Sequence, residues 1–128
     1  MGKILTEISE GELLDKLTIL EIKSKEINDQ SLLKEVEKEY KILSNIRDKN
    51  INKNKIIDEL YKELKLINKQ IWDIENIKRN YEKQNNFDEK FIKISRDEYK
   101  ANDKRANIKS KINIILDSNI KEIKQHKL

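Results

Sequence analysis

The stretch KIIDELYKELKLINKQIWDIENIKRNYEK (residues 55–83), QNN (84–86) and FDEKFIKISRDEYKANDKRANIKSKINIIL (87–116) decides the fold. Leu60, Leu64, Ile67, Ile71 and Ile74 recur at alternating steps of four and three, the seam of a long amphipathic helix. The polar triplet 84–86 interrupts the pattern. Phe87-Asp88 then reads as a hydrophobic staple and N-cap, with Ile92 as the staple's partner, opening a helix over 88–116. Two helices of this size are each about 42 Å long, and so short a connection makes them antiparallel neighbours.

Working outward, Ser9 and Glu12 have capping-box spacing and open a helix over about 10–28. Leu13, Leu17, Leu20, Ser24 and Ile27 form its main stripe, while Gly11, Asp15, Thr18 and Ile22 form a second face. A helix apolar on two sides is sandwiched between neighbours. Asp15 on that face needs a cation, with Arg105 or Lys109 in reach of the role. A helix over about 32–48 carries Leu33, Val36, Tyr40 and Leu43, and the Asn- and Lys-rich segment 48–54 reads as a turn. Residues 117–128 form a basic tail. The expected architecture is all-α: a single domain over 1–128, built as an antiparallel long-helix hairpin with two shorter helices packed along it, bundle- or coiled-coil-like.

Composition agrees. Charged residues make up 41% of the 128 positions and aromatics 5%; there is no Pro, and both glycines fall within the first eleven residues. Such chains form long amphipathic helices that often need a partner chain, so a homo-oligomer is expected. The absence of Cys excludes disulfides, thiol nucleophiles and Cys-type metal sites. No apolar run reaches membrane-spanning length and the N-terminal segment lacks a signal-peptide core, so the chain reads as soluble and cytoplasmic. The prevalence of Lys, Ile and Asn is the bias of an AT-rich genome, such as phages and some streamlined bacteria have. The net charge of +4 is unevenly spread: residues 1–28 hold four basic against six acidic side chains, residues 99–128 eight against three. The last segment can therefore meet the first, or an anionic ligand.

The candidate site lies in the last helix. Glu98, Asn102, Arg105, Lys109 and Asn113 share a wedge of about 80°. Ile94, Ala101, Ile108 and Ile112 flank it on one side, Ile92, Tyr99 and Ala106 on the other, with Phe91 and Leu116 at its ends. A polar strip set in an apolar surface is costly unless its charges are paired or used. In the hairpin, Asn68 and Glu75 are expected beside Glu98, Asn102 and Arg105, with Trp72 at the edge.

Three functions fit. In the first, Arg105, Lys109, Asn102 and Asn113 contact a small anion, a nucleotide or nucleotide-sugar, and Asp15, Glu75 and Glu98 orient the basic groups; Trp72 can stack on a base, and a small phage protein of this kind would sequester a host signalling nucleotide. In the second, the strip is a register device in a structural or adaptor coiled coil. In the third, Glu75, Glu98 and Asp15 hold Mg²⁺ as in all-α nucleotide pyrophosphohydrolases, against which Arg105 and Lys109 crowd the same strip. No HExxH, EF-hand or P-loop pattern is present, no resident cofactor or metal is expected, His126 reads as solvated, and Lys121, Lys124 and Lys127 are too dilute for nucleic acid.

The run GELLDKLTILEIK (11–23), with IWDIE (71–75), Phe87-Asp88, Phe91-Ile92, Asn102-Asp103, Arg105-Ala106, Lys109 and Ile112-Asn113, resembles a small all-helical bacterial and phage domain family of unknown function. Some of its members accompany glycosyltransferases. The resemblance implies an all-helical domain and no activity; its C-terminal end is acidic and aromatic, and IKQHKL (123–128) departs from that.

Overall fold

Ser9 opens the first helix by accepting a hydrogen bond from the Glu12 amide at 3.1 Å, and Glu10 and Glu12 in the first turn complement the positive end of the helix dipole. The box is only half closed, because the Glu12 carboxylate turns to Lys109 instead. The computed structural model describes residues 2–124 and contains α1 (Glu10–Glu26), α2 (Gln30–Asn50), α3 (Lys55–Lys83) and α4 (Glu89–Ile115). His126 and Lys127 lie outside the described residues. Asp29, Asn54 and Asp88 cap the later helices, each accepting from two amides of the following turn. No described helix is long and apolar enough to cross a membrane.

Both long helices end without glycine. Asn85 and Asp117 take the left-handed conformation, at φ 50° and 51°. Behind them Asn86 N–H donates to Tyr81 O and Ser118 N–H to Asn113 O, at 3.0 and 2.9 Å. These are Schellman closures, in which Asn and Asp stand in for glycine at the left-handed position. The first turns the chain into α4. The second turns it back along α4.

The hairpin is antiparallel: Tyr81 meets Phe91, Lys78 meets Glu98, and Leu66 and Ile67 share a groove with Asn107 and Ile108. Phe87 packs edge-on against Phe91 at 5.2 Å, whereas Ile92 is 55% exposed, so the staple closes one position earlier than its expected partner. An aromatic at that position offers Phe87 an edge-to-face ring contact that isoleucine lacks.

α1 lies on the hairpin, antiparallel to α4, as the pairs Gly11–Asn113, Glu12–Lys109 and Asp15–Arg105 show. Leu13, Leu14 and Leu17 of α1, Ile57, Leu60 and Leu64 of α3, and Ile108 and Ile112 of α4 form the core; Leu17, Leu64 and Ile112 are fully buried. The backbone of α2 comes close to α1 alone, while its side chains reach α3 near the open end of the hairpin, where Arg47 and Asp48 share a hollow with Ile57, Asp58 and Tyr61. Val36 is its one buried residue, with Tyr40 and Leu43 at the core's rim. α1 is thus covered on two sides, as its two faces imply, although Ser24 of the expected stripe is exposed.

Gly11 marks the closest approach of α1 to α4. A Cβ there would stand 2.7 Å from both Asn113 Oδ1 and the Lys109 carbonyl oxygen. In an ordinary helix interior Gly→Ala stabilises by up to about 1 kcal/mol. Here Gly11→Ala is expected to destabilise by roughly 1–3 kcal/mol, because backbone has to shift; urea unfolding of the pair gives the sign directly.

Candidate functional site

Asp15 sits on the α1 face with Gly11, Thr18 and Ile22, and that face fills the groove between α3 and α4, leaving the Asp15 side chain 1% exposed. Three helices converge on its carboxylate. From α4, Arg105 donates through Nε to Oδ1 at 2.9 Å and through Nη2 to Oδ2 at 2.5 Å. From α3, the Asn68 amide donates 2.8 Å bonds to Asp15 Oδ1 and to the Thr18 hydroxyl oxygen. Thr18 donates in turn to the Asp15 carbonyl at 2.7 Å. Burial alone would raise the Asp15 pKa. The hydrogen bonds from Arg105 and Asn68 and the charges of Arg105 and Lys109 outweigh it and hold the carboxyl below its usual value.

Lys109, one turn further along α4, is 9% exposed, and its ammonium lies between three carboxylates: Glu12 at 2.8 Å, Glu122 at 2.9 Å and Asp15 at 3.8 Å. Burial would lower its pKa; the bonds to Glu12 and Glu122 lead the opposing effects and leave it raised, so Lys109 is a cation. Asn113 caps α1 from outside: its Oδ1 accepts from the Gly11 amide at 2.7 Å and from the buried Ser118 hydroxyl at 3.1 Å. This satisfies an amide that the start of α1 leaves unpaired.

Beside this cluster opens a cleft of about 490 Å³, lined by Glu12, Asn102, Arg105, Lys109, Glu122 and the tail. Its existence follows from an asymmetry in α4. Ala101, Ile108 and Ile112 on one flank of the polar strip are buried, but Ile92 and Tyr99 on the other are exposed. The strip is the rim of the core, with apolar packing on one side and open space on the other.

The expected site residues therefore divide. Asp15, Arg105, Lys109 and Asn113 come together, and Asn102 lines the cleft while donating to the Glu98 carbonyl at 3.2 Å. Glu98 faces Lys78 at 3.3 Å, nearer the hairpin tip. Its Oε2 is buried with Lys78 as its ionic partner, and the Trp72 Nε1 is buried without a hydrogen-bond partner among the described residues. Glu75 does not reach Glu98, Asn102 or Arg105 as expected; it pairs with Arg79 on its own helix and is 40% exposed. The heptad seam directs Asn68 inward and, seven residues later, leaves Glu75 on the edge of a hairpin that α1 no longer covers. Trp72 is not among the residues lining the cleft. Asp15, Glu98 and Glu75 thus each face a different cation, and no three acidic or His side chains among the described residues form a metal-ligand set. Glu12 and Glu122 were missed: the spacing of Glu12 assigns it to the cap, and Glu122 lies where no periodicity operates.

Two outcomes test this arrangement. Arg105→Ala is expected to cost on the order of 3–5 kcal/mol in urea unfolding, since it strands a buried carboxylate. The lowered pKa of Asp15 makes its contribution complete above its unfolded value of about 3.9 and progressively lost as pH falls through the lower folded value. The stability gap between the natural protein and Asp15→Asn is therefore expected to be constant from pH 7 to about pH 4 and to shrink below it; a gap unchanged down to pH 2.5 would refute the ionised pair.

A family model described as a family of unknown function, DUF6165, matches residues 4–127. No curated protein and no solved structure matches the chain. With nearly its whole length matched and four helices with no strand among the described residues, the chain belongs to the DUF6165 family of unknown function.

Proposed function

We infer that the chain is a non-enzymatic binding module that holds a small anionic ligand, a nucleotide or nucleotide-sugar, in the cleft beside α4. The observation that carries this reading is the state of Arg105. Asp15 takes its Nε and Nη2 edge, while Nη1 has no partner among the described residues, and the guanidinium borders the cleft with Lys109 and Asn102. An arginine locked on one edge and free on another is pre-organised to hold a phosphate or carboxylate with little further loss of entropy. A cleft of about 490 Å³ is within the range of small-ligand sites. Because Trp72 lies off the cleft, the reading assigns the anionic end of the ligand to Arg105 and Lys109 and no stacking to Trp72. Sequestering a signalling nucleotide would need only this binding.

Self-association is part of the reading. Chains this rich in charge often need a partner helix to bury their stripes, and Ile56, Leu66, Ile92, Tyr99 and Ile114, each more than half exposed, are the positions a second copy would cover.

The register reading is favoured by a different observation: Lys109 is already surrounded by carboxylates and Arg105 already paired. Native mass spectrometry of the purified protein, before and after incubation with a nucleotide and nucleotide-sugar panel, separates the two. An oligomer carrying a nucleotide-sized mass, weakened at least about tenfold in Arg105→Lys, which keeps the charge but loses the fork, supports the site. Masses that stay ligand-free across the panel leave the cluster as a structural device only.

A further inference from the structure

Past Leu116 the chain does not leave the bundle. The Schellman closure at Asp117 returns it along α4, and Ser118 is buried with its hydroxyl on Asn113. Asn119 then donates to Glu7 at 2.7 Å, and Lys124 reaches Asp103 on α4 at 3.1 Å. Between these two anchors Glu122 points inward and places its carboxylate on Lys109 at 2.9 Å. The strap lies across one trough, because the cleft on one side and a second hollow of about 550 Å³ on the other share Lys109, Glu122, Ile123 and Lys124.

Charge accounting around Lys109 decides what this contact does. With Glu122 seated, three carboxylates (Glu12, Asp15 and Glu122) face two cations, Arg105 and Lys109. An anion entering the cleft then finds the Lys109 ammonium already matched by Glu12, Asp15 and Glu122, and Lys124 at the rim held on Asp103. With Glu122 withdrawn the cleft gains one unit of positive charge, and a donor position on Lys109 is vacated. Of the three carboxylates only Glu122 stands on a segment outside the helices: Asp15 is buried among three helices and Glu12 is carried by α1. The strap is also lightly held. Beyond Ser118 it makes no backbone hydrogen bond among the described residues, and its ion pairs are partly exposed, with Glu122 at 52% and Asp103 at 54%. Such pairs contribute little and are screened by salt.

We propose that Glu122 is an intramolecular competitor for the anion position on Lys109, and that residues 119–124 form a strap which the ligand's phosphate or carboxylate must displace. This rests on the binding reading above and adds its regulation: the apo protein is closed by its own carboxylate, so that weak anions are refused and a ligand making further contacts to Arg105 and Asn102 is admitted.

The chain contains no cysteine, so Ile123→Cys, at an 86% exposed position, gives a single thiol for a spin label on the strap. Inorganic pyrophosphate serves as the probe, with affinity measured by calorimetry in the natural sequence and in Glu122→Gln. The proposal expects Glu122→Gln to bind roughly three- to fivefold tighter, the upper size of one partly exposed ion pair, and the label on the otherwise natural chain to become mobile as pyrophosphate saturates. Tighter binding with an unmoved label means that only bulk charge was removed, and overturns the strap. A released label with affinities equal within about twofold overturns the competition. Binding with neither effect overturns the proposal while the anion site stands; no binding to either protein overturns both.

Discussion

The fold depends on one buried carboxylate. Asp15 has no water to solvate it, and burying an uncompensated charge costs more than a small domain's whole margin of stability. The structure meets this by bringing a guanidinium from α4 and an amide from α3 to the same two oxygens. Those bonds fix the rotation of α1 about its axis, its offset along the hairpin and the relative height of α3 and α4. Leucine packing alone would tolerate neighbouring registers; a forked pair with a fixed geometry does not.

The helices were legible because helix period, caps and stops agree along the chain. Asp88 and Ser9 announce starts, the Asn- and Lys-rich segment 48–54 announces the joint before α3, and the polar triplet 84–86 announces the hairpin turn. The polar strip of α4 was legible for the same reason, and so was the need of Asp15 for Arg105 or Lys109, since a charge on an apolar face has few ways to be satisfied. What periodicity does not carry is which flank of a stripe is covered. The two edges of the α4 strip read alike, yet α1 and α3 cover only the edge of Ala101, Ile108 and Ile112. The cleft is the consequence, and so is the position of Trp72 and Glu75 outside it.

α2 shows the same limit from the other side. Its stripe fits any apolar face, and α1 offers one that the hairpin does not use. Glu122 was illegible for a different reason. A segment without helical repeat is placed by its anchors, here the left-handed residue Asp117 and the buried Ser118, and the pull of Asn113 on that hydroxyl is visible only once α1 has brought Gly11 to the same oxygen.

The span of the Asp15–Arg105 pair, 90 positions, sets the order of events during synthesis. α1 is made first and carries a side chain whose partner is translated last but for the tail. Until α4 has left the ribosome, α1 can hold α2 and α3 alone, and the Asp15 carboxylate waits with the Asn68 amide but without its cation. Chains emerge at about 5–20 residues per second, so this exposure lasts several seconds in every molecule made. The core is complete only when the fourth helix brings Ile108 and Ile112, and a chain truncated before Arg105 would be left with the Asp15 carboxylate facing no cation.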